Sequence, residues 1–225
     1  MKKICLLICL FFLPILPVFA SRYINFAGYR WSVKNGYYGP GPNYWNNSKK
    51  GVHLDKTNNL HLFVRQRNKQ WQSSEVYLPY SLGYGKYSFT VKNRVDKLDR
   101  NLVLGLFLYA DDLHEIDIEL SRWSDKNGKN FQFVVQPYYL TSNIKRYNLK
   151  LKNTSSKYII DWQRNKIIFY IKQNNKIIKH WKYMGDNNFT PGDERVHINF
   201  WQYQSLAPYR QIKEEVIIEN FLFEK

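Results

Sequence analysis

Short runs of alternating apolar and polar residues recur along the chain, separated by turn-forming residues. Residues 84–91 alternate aromatic or apolar with small or polar side chains, which is the period of a strand with one buried face. Residues 102–109 are apolar on both faces, as is typical of a central strand in a sandwich. No long helical period competes with these patterns. We therefore predict an all-β protein, either a sandwich or a barrel.

Similar patterns predict further strands, and turn residues mark the connections between them. A Gly/Pro loop occupies residues 37–43, and Gln173-Asn174-Asn175 predicts a hairpin between two strands. No linker or repeat interrupts the chain, so residues 21–225 are predicted to form one domain. The additional predicted strands cover residues 60–65, 131–139, 167–172, 176–181, 196–203 and 215–223.

One strand is unusually acidic. Residues 114–123 read HEIDIELSRW, with Glu115, Asp117 and Glu119 at every second position. Successive side chains of a strand point to opposite faces, so the three carboxylates share one face and the aliphatic residues share the other. The aliphatic face must point into the core. The acidic face must line a surface or a cleft.

The spacing of these carboxylates permits acid-assisted glycoside cleavage. The Cα atoms of Glu115 and Glu119 lie roughly 13 Å apart on an extended strand, and leaning side chains on a curved sheet can approach the ~5.5 Å carboxyl separation of a retaining glycosidase. The charge of Asp117 between them would help one glutamate to keep its proton near neutral pH. Two alternatives remain open from the pattern alone, namely a solvated acidic face and a calcium site.

The first 20 residues predict a secretory signal peptide. Lys2 and Lys3 precede a short apolar run, and small residues precede a cleavage point ahead of Ser21. The run is too short to span a membrane, so we expect a secreted protein, extracellular or periplasmic, with no membrane span after cleavage. Cys5 and Cys9 both lie in this segment, which leaves the mature chain without a disulfide, a thiolate metal site or a cysteine nucleophile.

The chain is strongly basic. Its formal net charge is +16, or +14 once Lys2 and Lys3 are removed. A basic surface can attract acidic polymers, although solvated surface lysines explain the charge equally simply. No dense Lys/Arg run with interspersed aromatic residues is present, so we do not expect specific nucleic-acid binding.

Several segments together resemble glycoside hydrolase family 16, the jelly-roll glucanases and galactanases. Residues 115–119 (EIDIE) resemble the family's catalytic strand, and the flanking segments match in family order over roughly residues 80 to 203. The flanking segments are LGYGKY at 82–87, LGLFLY at 104–109, DWQ at 161–163, KIIFYI at 166–171 and VHINFW at 196–201.

This resemblance implies a β-jelly-roll sandwich of two antiparallel sheets with a concave substrate cleft. It implies that Glu115 is the nucleophile, Glu119 the general acid/base and Asp117 an auxiliary carboxylate in a retaining double displacement. It implies no required cofactor and no catalytic metal. Some family members hold a structural calcium, whose ligands have no assigned positions in this sequence.

The sequence departs from the family beside the catalytic strand. His114 stands where well-known glucanases carry an acidic residue, and Pro137 replaces an asparagine that would touch substrate. Residues 120–123 (LSRW) replace the usual F-[LM]-G. These changes leave the substrate open and are consistent with a divergent branch.

Strand parity and loop position suggest which residues contact sugar. Exposed aromatic side chains can stack on sugar rings, and polar side chains can bond their hydroxyl groups. Trp162 and Trp31 are instead predicted to pack in the core, and His114 at the edge of the core. Arg122 either binds substrate or is a surface charge. The predicted substrate-binding residues are Asn43, Trp45, Arg122, Trp123, Gln136, Tyr138, Asn199 and Trp201.

The sequence thus favours a secreted, monomeric, endo-acting glycoside hydrolase. Its expected partner is a β-linked polysaccharide, either a β-glucan or a β-galactan, neutral or acidic. The leading alternatives are a lectin-like carbohydrate-binding protein on the same fold with weak or lost catalysis, and a transglycosylase. A third alternative is a basic binder of acidic polymers.

Overall fold

The protein is a sandwich of two large antiparallel sheets, as predicted. A computed structural model describes residues 21–152, 154–185 and 190–225. The predicted signal peptide lies outside these residues. Within the described ranges, no helix is long and apolar enough to cross a membrane.

The strands are short, and turns connect most consecutive pairs. Three single turns of 3₁₀ helix lie at Val95–Lys97, Thr141–Asn143 and Tyr203–Ser205. The strands are β1 (Arg22–Phe26), β2 (Tyr29–Val33), β3 (Gly36–Tyr38), β4 (Asn43–Trp45), β5 (Val52–Leu54), β6 (Leu60–Arg67), β7 (Gln70–Gln72), β8 (Ser74–Ser81), β9 (Gly85–Val91), β10 (Leu102–Asp111), β11 (His114–Leu120), β12 (Phe131–Val135), β13 (Ile144–Tyr147), β14 (Ser156–Gln163), β15 (Lys166–Gln173), β16 (Lys176–Tyr183), β17 (Arg195–Gln202) and β18 (Glu214–Glu224).

Two sheets contain nearly all of these strands. The first, which we call the cleft sheet, has the order β1-β2-β8-β17-β10-β11-β12-β13. The second, the back sheet, has the order β16-β15-β14-β9-β18-β6-β5, and β7 pairs with β6. A separate hairpin joins β3 to β4. Consecutive strands therefore often lie in different sheets, which is the connectivity of a jelly roll.

The core lies between the two sheets and explains the apolar runs. Ile116, Ile118 and Leu120 of β11 are fully buried in it, so the carboxylates that alternate with them must point away from it. Trp31 and Trp162 are also fully buried, as predicted. Each large side chain buried in this way contributes roughly 1.5–3 kcal/mol to the free energy of unfolding.

Some predicted elements differ from the observed ones at their ends. The strand predicted over residues 131–139 ends at Val135, because Pro137 has no N–H with which to continue the ladder. The Gly/Pro loop contributes residues to the β3–β4 hairpin. The β15–β16 hairpin is confirmed, and Asn174 and Asn175 form its turn with φ of 48° and 61°.

Candidate active site

An open cleft of about 700 Å³ lies on the outer face of the cleft sheet. The acidic face of β11 forms part of its lining, together with side chains from β10, β12 and β17. The residues that line the cleft include Glu115, Asp117, Glu119, Trp123, Gln132, Gln136, Arg146, Asn199 and Trp201.

The three carboxylates of β11 lie side by side in this cleft. Asp117, in the middle, is only 4% exposed. Its neighbours across the sheet are Phe107 and Val134, which supply no compensating charge. A carboxyl group in such a position is costly to ionise, and it favours the protonated form.

Asp117 shares a hydrogen bond with Glu115. Burial raises the pKa of Asp117 well above its usual range, and the charges of Glu115 and Glu119 raise it further. Burial also raises the pKa of Glu115, with a further increase from the charge of Glu119, whereas the hydrogen bond with Asp117 lowers it. The bond raises the pKa of Asp117 and lowers that of Glu115, so Asp117 is the donor and Glu115 the acceptor, although burial still raises the pKa of Glu115 to about 8.

Glu119 is held from the opposite side by a chain of two hydrogen bonds. Gln132 Nε2 donates to Glu119 Oε2 at 2.5 Å, and Arg146 Nε donates to Gln132 Oε1 at 2.8 Å. Because the guanidinium can only donate, it orients the Gln132 amide with its nitrogen towards Glu119. Burial raises the pKa of Glu119, while the Gln132 bond and the Arg146 charge oppose that rise.

A glycine beside Glu119 makes room for the Asn199 side chain. Gly105 pairs with Glu119 on one side and with Asn199 on the other. Asn199 Oδ1 accepts a hydrogen bond from Gly105 N at 3.1 Å. A Cβ atom at position 105 would lie 2.5 Å from this oxygen. Asn199, which is buried, therefore lies across the glycine at the floor of the cleft.

Aromatic side chains form one wall of the cleft. The ring centroid of Trp123 lies 6.4 Å from that of Trp201 and 5.4 Å from that of Tyr203. Trp123 does not continue the strand, because β11 ends at Leu120. It reaches the wall through a turn in which its φ is 53° and its N–H donates to Ser121 Oγ.

Gln136 and Tyr138 lie at the end of the cleft nearest Glu115. Gln136 Nε2 donates to Glu115 Oε2 at 3.2 Å, which opposes the rise in the pKa of Glu115. Gln136 Oε1 accepts a hydrogen bond from Tyr138 N at 2.8 Å. The Tyr138 side chain remains 60% exposed at this end of the cleft.

The structure corrects the predicted positions of Asn43 and Trp45. Asn43 is buried, and its amide nitrogen donates to Pro40 O and Gln202 O, so its polar group supports the loop. Trp45 is 2% exposed and packs behind Trp201. Both residues stabilise the cleft entrance from beneath, because the β3–β4 hairpin folds their side chains inward.

Arg122 and His114 also lie outside the cleft lining. Arg122 Nη1 donates to Gly128 O at 2.8 Å, which commits the guanidinium to its own loop. His114, predicted at the edge of the core, is instead half-exposed at the start of β11, where Nδ1 lies 2.8 Å from Asp111 Oδ1. The turn between β10 and β11 shifts the register there, so strand parity does not apply.

The structure adds a buried polar group that sequence reasoning did not select. Glu75 lies between His197 Nδ1 and Lys34 Nζ, each at 2.8 Å. Burial disfavours its ionisation, but the His197 hydrogen bond and the Lys34 charge outweigh burial and lower its pKa. Arg146 was also not selected, since its role depends on pairing between β12 and β13.

No group of three or more His, Cys, Asp or Glu residues is arranged to hold a metal ion in the part of the chain that the structure describes.

No protein-family model and no curated protein matches the sequence. Solved structures do match the fold. A β-glucanase of Bacillus licheniformis has a TM-score of 0.64 and 18% identity, covering 93% of this chain and 100% of the glucanase.

Two further structures show the range of proteins on this fold. A family 16 endo-glucanase from Bacteroides ovatus, solved in complex with G4G3G-2F-DNP, has a TM-score of 0.60 and 14% identity, with coverages of 86% and 94%. A Mycobacterium tuberculosis protein described as an immunostimulatory antigen and pseudo β-1,3-glucanase has a TM-score of 0.61 and 14% identity, with coverages of 87% and 91%. The chain thus has a divergent form of the jelly-roll fold of the glycoside hydrolase family 16 β-glucanases.

Proposed function

We propose that the protein is a retaining glycoside hydrolase that cleaves a β-linked polysaccharide internally. One observation carries this proposal, namely that three carboxyl groups share an open cleft with Asp117 hydrogen-bonded to Glu115. A structural or solvated acidic strand has no need for this buried arrangement, which costs stability. The fold, which glucanases share, supports the same conclusion.

In the first step, Glu115 attacks the anomeric carbon of the bound sugar. The glycosidic C–O bond breaks as Glu119 transfers its proton to the departing oxygen, leaving a covalent ester between the sugar and Glu115. Asp117 donates to Glu115 and so positions the attacking carboxylate. Gln132 positions Glu119 in the same way from the other side.

In the second step, water hydrolyses the glycosyl-enzyme. Glu119, now ionised, removes a proton from the water, whose oxygen attacks the anomeric carbon and releases Glu115 as a carboxylate. The two inversions preserve the anomeric configuration. If a sugar hydroxyl replaces the water, the same intermediate gives transglycosylation.

The second candidate is carbohydrate binding without turnover. It is favoured by one neighbour on the same fold, whose description names it a pseudo β-1,3-glucanase. The aromatic wall of Trp123, Trp201 and Tyr203 serves binding equally well in either case. A hydrolase loses its cleavage activity when a cleft glutamate is substituted, whereas a protein that only binds carbohydrate has no cleavage activity to lose.

We also propose that the chain is exported and acts as a monomer. The apolar, lysine-led segment before Ser21 supports export. Amino-terminal sequencing of the protein recovered from culture medium or periplasm should find Ser21 first. Recovery of the chain in the cytosol with its first 20 residues attached would contradict export.

The experiment is a panel of β-glucans and β-galactans, neutral and acidic, with reducing ends measured over time. The wild-type protein should cleave at least one polymer. Glu115→Gln and Glu119→Gln should each lower kcat by at least about 1000-fold on that polymer, because each removes a reacting group.

Glu224→Gln is the matched control. Glu224 is exposed at the end of β18 in the back sheet, so the same chemical change there should leave kcat unaltered. Cleavage that persists in both cleft variants would overturn the catalytic assignment. Binding of a polymer by the wild-type protein with no cleavage would establish the second candidate instead.

A further inference from the structure

The cleft continues into a second cavity beyond its carboxylates. This cavity has a volume of about 760 Å³ and adjoins the end of the cleft that contains Tyr109. Lys34, Glu75, Tyr109 and His197 line both spaces. A polymer bound across Glu115 can therefore extend into the cavity without leaving the surface of the cleft sheet.

Arg195 connects the cavity to the candidate nucleophile. It begins β17 and pairs with Tyr109 of β10, which in turn pairs with Glu115 of β11. Two strand spacings separate Arg195 from Glu115, or about 10 Å. Alternation along β17 puts Arg195 on the same face as His197, and its side chain is exposed there.

A second guanidinium lies in the same cavity. Arg22 Nη1 donates at 2.8 Å to Asn47 O and to Val52 O, two backbone groups that bring no negative charge. These bonds anchor the side chain and leave its positive charge uncompensated. An anchored guanidinium recognises a carboxylate or sulfate at little cost in side-chain entropy.

Acidic residues also line the cavity, but they do not cancel these charges. Glu75 is held by Lys34 and His197, each at 2.8 Å, so its charge is satisfied within the protein. Asp193 is the remaining carboxylate among the described lining residues. Two guanidiniums thus oppose one carboxylate, and the cavity retains a net positive charge.

A stack of three rings separates the cavity from the carboxylates. The His197 ring stacks on Phe107 with centroids 4.9 Å apart and on Tyr77 with centroids 5.3 Å apart. The interplanar angles are 24° and 14°. The rings cover one another's faces, so the stack is a firm partition that fixes His197 against Glu75.

We propose that this cavity, the Arg195 pocket, binds a sugar unit that carries a carboxylate or a sulfate. The proposal rests on the proposed function and narrows its substrate to an anionic β-linked polysaccharide. Arg195 contacts the acidic group, Arg22 supplies a second fixed charge, and the bond that is cleaved lies over Glu115. A uronate and a sulfated sugar each carry a negatively charged group that a guanidinium can bind.

The test measures binding separately from cleavage. Calorimetry with the Glu119→Gln protein would use four probes, namely a sulfated galactan tetrasaccharide, its desulfated form, a hyaluronan tetrasaccharide and its carboxyl-reduced form. At least one anionic probe should bind about tenfold more tightly than its neutral counterpart, and the preferred probe distinguishes sulfate from carboxylate. Raising the salt concentration should reduce that difference.

Arg195→Gln should weaken binding of the preferred anionic probe about tenfold and of its neutral counterpart less than twofold. Arg67→Gln is the control, because Arg67 is exposed at the end of β6 in the back sheet. Equal loss for both probes, or no loss, would overturn the proposal. If anionic probes bind through Arg195 but the wild-type protein cleaves none of them, the pocket stands and the proposed hydrolysis fails.

Discussion

In the proposed mechanism, Asp117 is the carboxyl group that positions the nucleophile. It lies deepest of the three, and its hydrogen bond to Glu115 requires one proton between them. If Asp117 holds that proton, Glu115 can accept the hydrogen bond as a carboxylate. Burial raises the pKa of Glu115 to about 8 and that of Glu119 to about 7, so the proposed assignment of nucleophile and acid follows the family resemblance, and hydrogen bonding distinguishes only Asp117 as the donor.

A neutral donor at position 117 should preserve much of the activity. Asp117→Asn keeps an N–H that can donate to Glu115, so kcat should fall less than about tenfold. Asp117→Ala removes the donor and should lower kcat about 100-fold. Steady-state kinetics on the best substrate would compare the two variants. If both lose activity equally, Asp117 does not act as a protonated donor.

The raised pKa values of the cleft carboxyls also predict how stability depends on pH. The folded protein keeps protons that the unfolded chain releases above about pH 4. The contribution of these bound protons to the free energy of unfolding is therefore fully present below about pH 4. It is lost as the pH rises through the folded pKa values. The pKa of Glu75 is lowered, so its contribution to the free energy of unfolding is present above its unfolded pKa and is lost as the pH falls.

The melting temperature should accordingly fall between pH 5 and pH 8.5, and Asp117→Asn should reduce the fall by removing one titrating group. Glu224→Gln should leave the slope unchanged. Thermal unfolding followed by circular dichroism at several pH values would measure this. A wild-type protein whose melting temperature rises over the same interval would be inconsistent with protonated cleft carboxyls.

Arg146 should set the pH dependence of the acid through Gln132. Arg146→Met removes a charge that opposes the rise in the pKa of Glu119, so the alkaline limb of kcat/KM should move to higher pH. Release of Gln132 should also lower kcat several-fold, with little change in KM. Lys145→Met changes an exposed neighbour on the same edge strand and is the control. If the alkaline limb of kcat/KM does not move, Arg146 has only a structural role.

At the scale of elements, the two faces of β11 account for most of what the sequence could predict. Alternation alone separated its carboxylates from its aliphatic residues, and the apolar run of β10 predicted a central strand. The residues around the site were harder to predict, because Trp123 depends on a turn and Asn43 on an inward-folding hairpin. Neither conformation follows from strand parity.

Pairing between β10 and β17 predicts a specific effect at Gly105. In Gly105→Ala, the added methyl group would meet Asn199 Oδ1, which should lower the free energy of unfolding by about 1–3 kcal/mol and reduce activity. Gly39→Ala is the control, since nothing lies within 4 Å of a Cβ there. Urea unfolding would compare the two variants. Asn199→Ala combined with Gly105→Ala should recover the lost stability, and failure to do so would place the clash elsewhere.

At the scale of the whole molecule, the many short alternating strands predicted an all-β sandwich or barrel, and the family resemblance selected the sandwich. The order of strands within each sheet was available only through the family resemblance, since pairing partners lie far apart in sequence. Amino-acid composition could not predict the Arg195 pocket. A net charge of +16 indicated excess positive charge, but only the fold brings Arg22 and Arg195 to one cavity.

The most direct test of the proposed retaining mechanism is to trap its covalent intermediate. A 2-deoxy-2-fluoro glycoside with a good leaving group, built on the best-cleaved oligosaccharide, would be incubated with the wild-type protein, which would then be digested and analysed by mass spectrometry. We expect one sugar adduct, located on Glu115, and none in Glu115→Gln. An adduct on Glu119, or rapid cleavage of the polymer with inversion and no adduct, would contradict this expectation.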